Sequence, residues 1–452
     1  MNIGDERLTT QIVRGLALAA CILLAGSAAR PQAEPPPTPA PASGTGVTGT
    51  SDWDEWKRNC DLSKDFTQKF ISCATSTFRS RPFHFVAQSI VPGSGVGGGG
   101  RYTRDLNEKN GSQDQLQATS VITIRKFWLA ELKFSTERSI DADWNKSGES
   151  LGINIYARNR SLPVMTFYGI GPNTNVLNSV KFSQRDTSAG IDVTTPFPQV
   201  SWLSAGGKIE GLWPNIGGVT GTNVVSIQQQ YTEQTAPGLT SQPPLVHEQI
   251  FLRPHKRYPE RFEFDATVAY NFFEDTNTGH YSFRRFEANV EERFYPEKKK
   301  HGGVIEQNYF SVQWRYAVSD ASAGHAVPFY LQETIGGMDI DNQPSLRAFK
   351  DYRFRGPDLM TVQAEYDRKI CAECTPCKEG IVRTVCSHLG LVLAYDAGKV
   401  ALRNSDLDFS NMHQSFGGGI SIYLGKDVIF RMAVALGGGE GTHPYFLVGN
   451  FL

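Results

Sequence analysis

Cys371, Cys374, Cys377 and Cys386 lie within one short segment, at intervals suited either to a metal ion or to disulfides. Thiolates at such spacing could hold zinc. In an exported chain the oxidising compartment favours disulfides. Two staples are therefore the favoured reading, in what should be an outer loop, and no metal or cofactor is expected. His280 and Ser282 are two apart, so on a strand they would share a face and could serve a barrel phospholipase. Such catalysis also needs an orienting third group and an oxyanion site, and Asn289 is an unpersuasive third member. Ser387 and His388 are adjacent, point to opposite faces and cannot form a dyad. No phosphate loop is legible, and the expectation is that the chain is not an enzyme.

The elements that would position these residues follow from composition and periodicity. Lys and Arg number 45 against 46 Asp and Glu, which argues against a charge-driven nucleic-acid partner. Aromatics at 11% and 44 glycines suit strands, turns and interfacial girdles better than helices. Past residue 30 no apolar run is long enough for a membrane helix. A membrane crossing would therefore need a closed barrel, because lipid offers unpaired backbone groups no partner.

The N-terminus reads as an export signal, residues 1–29. Arg14 precedes an apolar core at 15–26, then Ser27, Ala28 and Ala29, with cleavage expected near Ala28 or Ala29. Leu18-Ala19-Ala20-Cys21 resembles a lipobox, a second-ranked alternative, and an uncleaved anchor looks too short to span. Residues 30–51 are a Pro-rich linker unable to bury apolar surface. Residues 52–88 are expected to be a short helical periplasmic segment, with Trp53, Trp56, Cys60, Phe66 and Phe70 at helical spacings. Cys60 and Cys73 either pair, bending it into a hairpin, or stay as free thiols on one amphipathic helix.

From about residue 94 the period becomes two. Phe262, Phe264, Ala266, Val268, Tyr270 and Phe272 alternate with Arg261, Glu263, Asp265, Thr267 and Asn271. Phe310, Val312, Trp314, Tyr316 and Val318 alternate with Ser311, Gln313 and Arg315. Met360, Val362, Ala364 and Tyr366 alternate with Thr361, Gln363, Glu365 and Asp367. Such stretches run to roughly ten residues, the length a tilted strand needs to cross a bilayer. The reading is all-β: residues 89–452 form an antiparallel transmembrane barrel, with polar, Gly/Pro/Asn-rich connections at 137–150 and 231–247.

Several marks occur in order toward the C-terminus. Gly336-Gly337 precedes LRAFKDYRFRG at 346–356, and GLVLAYDAGKV follows at 390–400. SFGGGISIYLGKDVIFRMAVAL at 415–436 reads as a hairpin, and the chain ends FLVGNFL. SIVPGSGVGGGGRY at 89–102 and RSLPVMTFYGIGP at 160–172 are weaker marks. Together they resemble the bacterial surface antigen family, the BamA/TamA type of barrel that includes two-partner-secretion transporters. The resemblance implies sixteen strands and a long loop folded into the lumen, with Leu346, Arg347, Ala348 and Phe349 at its tip. The motif's glycine is Ala348 here, which raises the expectation of a different tip backbone, since alanine resists positive φ. The POTRA domains that precede the family's barrel have no room before residue 90.

On the strand at 388–396, Leu389, Leu391, Leu393 and Tyr395 share one face and His388, Val392 and Asp396 the other. The resemblance brings Arg347 against Asp396, with Glu365 as alternative acceptor, in a bidentate lock that pins the loop. Residues alone favour a solvated Arg347 instead. Gly97, Gly98, Gly99 and Gly100 leave the expected first strand almost without side chains. Closing against a last strand that carries Gly449 and Phe451, it should make the weakest seam, where the family is proposed to open toward lipid. A plain reading is that these glycines only relieve crowding. The implied function is protein insertion or translocation at a bacterial outer membrane, with lipid and client proteins as partners. A passive or plugged pore is the runner-up, a barrel hydrolase the third.

Overall fold

The computed structural model describes residues 82–448, apart from 110–111, 140–149, 198–199, 222–223, 259–260, 297–307, 342, 371–387 and 425–426. The signal, the linker and the segment at 52–81 with Cys60 and Cys73 lie outside the described residues, as do Cys371, Cys374, Cys377, Cys386, Gly449 and Phe451.

Alternation of apolar and polar residues becomes one antiparallel sheet of sixteen strands. Its first half comprises β1 (Phe83–Gln88), β2 (Gly97–Lys109), β3 (Ser112–Thr123), β4 (Trp128–Ser139), β5 (Ser150–Phe167), β6 (Val180–Phe197), β7 (Val200–Gly218) and β8 (Leu245–Tyr258). β9 (Phe262–Asp275), β10 (Phe283–Phe294) and β11 (Asn308–Asp320) follow. Two short strands, β12 (Glu333–Ile335) and β13 (Phe354–Gly356), pair as a separate two-stranded sheet, and Arg355 of β13 also bridges to Gly171. They belong to the long connection at 321–357. The main sheet resumes with β14 (Asp358–Lys369), β15 (Leu389–Ala401), β16 (His413–Leu424), β17 (Asp427–Leu436) and β18 (Thr442–Val448). Strands of about twelve residues extend about 40 Å, and tilted by about 45° they span a hydrocarbon core. The chain is a transmembrane antiparallel β-barrel.

The two faces invert the usual soluble pattern. Leu391, Ile420, Met432 and Phe446 oppose one another across β15 to β18 and all point outward, exposed. Gln363, Asp396 and Ser415, in register on β14 to β16, point inward and are buried. Each wall is oily outside and polar inside, as lipid outside demands. Among the described residues, no helix is long and apolar enough to cross a membrane.

The first strand differs from the expectation. Phe83–Gln88 is strand rather than helix, so the barrel begins before residue 89. The glycine run lies in β2, between β1 and β3, and does not form the edge. A Cβ at Gly99 would stand 1.9 Å from the Ser120 carbonyl oxygen, and one at Gly100 would strike the Phe83 ring. These glycines let three backbones and one ring approach closely. Among the described residues the sheet ends instead at β1 and β18, of six and seven residues. Every other strand of the sheet has at least ten. Among the described residues no ladder joins β1 to β18.

Because every neighbouring pair is antiparallel, connections alternate between the two rims. The connection at 370–388 therefore leaves from the rim that carries the start of β1, opposite the root of 321–357.

Candidate functional site in the barrel lumen

The connection 321–357 packs against buried side chains of the sheet. Ile335, Leu346, Ala348, Phe349 and Phe354 pack on Ala317, Leu359, Val400 and Ala435 of the wall. Burying a large apolar side chain is worth about 1.5–3 kcal/mol, so this cluster alone favours the inserted loop. The tip is built by positive backbone angles at Gly336 (116°) and Gly337 (56°), and a Cβ on either would overlap the facing backbone near Lys350 and Asp351. Leu346 (47°) and Tyr352 (57°) also adopt positive φ, whereas Ala348 does not. Alanine fits at 348 because the left-handed residues flank it.

Arg347 is 4% exposed. Its Nη2 donates to Glu365 Oε2 at 2.9 Å. Its Nη1 stands 3.6 Å from Asp396 Oδ1, an ion pair without a hydrogen bond. Its backbone N donates to Asp396 Oδ2 at 2.9 Å. The expected fork on Asp396 is thus divided: Glu365 takes the guanidinium, and Asp396 takes the backbone. Ser415 Oγ donates to Asp396 at 2.8 Å, and the Tyr445 ring centroid lies 5.7 Å from the Arg347 guanidinium carbon.

Sequence reasoning missed Arg431. From β17 its Nη1 donates to Glu365 Oε1 at 2.8 Å and its Nη2 to Asp367 Oδ2 at 2.5 Å. Tyr423 hydroxyl also donates to Asp367. The signal was an arginine between Phe430 and Met432, hence on the polar face of an oily strand. Two arginines and three carboxylates form one buried network. In such networks removal of one partner costs more than the pair's net worth, because the other charge stays buried.

The wall also reaches toward the loop. Arg285 donates to Glu333 Oε1 (2.8 Å), the Leu331 carbonyl (2.6 Å) and Ser319 Oγ (2.9 Å). Arg315 donates to Asp339 Oδ2 at 2.6 Å. Beside these contacts lies a cavity of about 260 Å³ lined by Arg158, Arg160, Asp186, Glu287 and Tyr330, among others.

The rim above the loop is capped. Ile227 and Leu239 from the connection 219–244 pack with Phe167, Phe182, Phe329 and Tyr330. Glu233 fastens this cap, accepting from Thr240 N (2.8 Å), Thr240 Oγ1 (2.6 Å), Tyr281 hydroxyl (2.6 Å) and Gly238 N. Burial alone would raise the Glu233 pKa, but these hydrogen bonds outweigh it and hold the carboxyl below its usual range. His280 and Ser282 sit in the turn 276–282, not on a strand. Ser282 Oγ accepts from Asp275 N at 3.0 Å, and the His280 ring packs on Tyr281. Asn289 lies on β10 and accepts from Gln313 at 3.0 Å.

No family model and no curated protein sequence matches the chain. Among solved structures it is similar to BamA from Haemophilus ducreyi lacking POTRA domains 1–3. That likeness has 13% identity and a TM-score of 0.51, and covers 81% of this chain and 69% of that one. CdiB from Acinetobacter baumannii matches at 12% identity and TM-score 0.47, over 80% of this chain and 58% of its own. CdiB from Escherichia coli matches at 8% and 0.48, over 80% and 61%. The chain has the fold of the BamA-type barrel that its C-terminal motifs resemble.

Proposed function

We propose that the chain is a bacterial outer-membrane barrel of the insertion or translocation type, acting on client proteins, with its lumen obstructed by the inward loop. The observation that supports this reading is Arg347, buried between Glu365 and Asp396 at the tip of a loop that crosses a polar lumen. A plain pore has no need of so large a buried charge network in its path, since buried ion pairs contribute little net stability. The outward rows on β15 to β18 supply the lipid-facing surface.

The test is folding of an unfolded outer-membrane protein into vesicles with and without the reconstituted barrel. Acceleration by the wild type, weakened by Arg347→Ala, supports the reading; equal rates with and without the barrel oppose it. A plugged pore for small solutes is the second reading, supported by the charged cavity beside the loop. Solute flux without any effect on client folding would favour it. We read Ser282 and His280 as turn residues, since Ser282 Oγ accepts from Asp275 N and the His280 ring packs on Tyr281.

A further inference from the structure

One row of side chains crosses four neighbouring strands. Arg158 of β5 lies opposite Ser188 of β6, Ser188 opposite Leu212 of β7, and Leu212 opposite Leu245 of β8. Directly paired residues share a face of the sheet, so the row forms one continuous surface. All four line the cavity of about 260 Å³. The same cavity is lined by Glu287 of β10 and, from the connection 321–357, by Tyr330 and Asp341. At about 30 Å³ per water molecule, the space suits roughly eight or nine waters, or one molecule of about dipeptide size.

Most of the charge around the cavity is already matched. Arg160 pairs with Asp186 at 2.8 Å, Arg285 with Glu333 at 2.8 Å and Arg315 with Asp339 at 2.6 Å. Three charges are left over. Among the described residues, the Arg158 guanidinium has no hydrogen bond or ion pair. The Asp341 carboxylate has none either, and only its backbone N is engaged, donating to Asp339 Oδ1 at 2.9 Å. Glu287 Oε1 stands 3.8 Å from Arg285 Nη1, beyond hydrogen-bond reach, and that nitrogen already donates to Glu333. Two hydroxyls are left over as well. Ser188 is 2% and Tyr330 4% exposed, and among the described residues neither oxygen has a hydrogen-bond partner. Buried hydroxyls are seldom left so, because the hydration they lose is then not replaced.

We propose that this cavity is a binding site for a small zwitterion of about dipeptide size. Its carboxylate meets Arg158, which offers a planar fork of donors, and its ammonium meets Glu287 and Asp341. The Ser188 and Tyr330 hydroxyls serve the polar groups between the two ends. A simple anion leaves both carboxylates unmatched, and a simple amine leaves Arg158 unmatched; a ligand with both charges satisfies both ends. Leu212 and Leu245, in the same row as Arg158, accept short apolar side chains. The inference concerns binding and not transport, so it holds whether the barrel acts on client proteins or passes solutes.

The test is calorimetric titration of the full-length protein in lipid nanodiscs with alanyl-alanine. One molecule should bind per barrel, with a dissociation constant between about 1 μM and 1 mM. Acetyl-alanyl-alanine lacks the ammonium and alanyl-alaninamide lacks the carboxylate, and each should bind at least about tenfold more weakly. Arg158→Gln should weaken alanyl-alanine by about tenfold to a hundredfold and leave alanyl-alaninamide unchanged. Glu287→Gln should weaken alanyl-alanine and leave acetyl-alanyl-alanine unchanged. A merely structural role for either side chain does not give this crossed pattern. No binding of alanyl-alanine at millimolar concentration by a folded barrel would overturn the site, as would equal affinity for all three probes or equal losses for all three in both variants. If Glu287→Gln does not fold, Asp341→Asn at an exposed position decides in its place. The outcome is separable from the client-folding assay: peptide binding without accelerated client folding opposes only the insertion reading, and accelerated folding without peptide binding opposes only this site.

Discussion

Arg347 and Arg431 grip opposite oxygens of one carboxylate. Arg347 reaches Glu365 Oε2 at 2.9 Å from the loop, and Arg431 reaches Glu365 Oε1 at 2.8 Å from the wall. Glu365 therefore joins the loop to β17 and separates two buried cations. Glu365→Gln should leave the guanidinium groups without that neutralising charge and destabilise the barrel on the order of 3 kcal/mol. Asp396→Asn keeps an acceptor for Arg347 N and Ser415 and should cost about 1 kcal/mol. Urea unfolding in lipid vesicles measures both, and equal losses would show that the shared carboxylate has no special place.

The glycines of β2 should not be equivalent. A Cβ at Gly99 meets the Ser120 backbone, whereas one at Gly98 meets nothing within 4 Å. Gly99→Ala is expected to destabilise by about 1–3 kcal/mol, the cost of overpacking. Gly98→Ala should be close to neutral. The comparison uses the temperature at which the folded species is lost on electrophoresis. Similar behaviour of the two variants would mean that β2 and β3 are not so closely apposed.

The outward rows make a prediction that no soluble sandwich shares. Leu393 is 61% exposed on the outer face of β15. Leu393→Arg should cost about 2–4 kcal/mol if that face meets lipid near the bilayer midplane. In a water-facing strand the same change would be neutral or favourable. Unfolding in vesicles against wild type distinguishes these.

Glu233 ties the rim cap to the neighbouring turn and titrates below its usual value. A carboxylate with a depressed folded pKa stabilises above its unfolded pKa, about 4.3, and loses that contribution as pH falls through the folded value. The cap should therefore loosen below about pH 4.3, with increased hydrogen exchange at 227–240. Glu233→Gln should show the looser pattern already at neutral pH. An exchange rate independent of both pH and the substitution would remove Glu233 from the cap.

Much of this architecture was legible because lipid outside and water inside impose a strict period of two. The buried face of Asp396, opposite that of Leu391 and Leu393, followed from parity, whereas the contact of Arg347 with it was implied only by the resemblance that LRAFKDYRFRG carries. β1 was not legible: FHFVAQ alternates over only six residues and lies between a helical-looking stretch and a glycine run that drew the boundary to itself. Alternation also fixes which face a residue takes but not which rim a connection joins. Ile227 and Leu239 carried no period at all, being brought to Phe329 by tertiary packing in a Gly/Pro-rich connection. Arg431 obeyed the period but lies outside the motif residues, so only the structure joins it to Glu365.

The most direct test of the central claim is single-channel conductance of the refolded barrel, wild type beside Arg347→Ala. Arg347 buried at the loop tip predicts small, flickering currents in the wild type that become larger or unstable in the variant. Large, steady currents identical in both would contradict a plug held by Arg347.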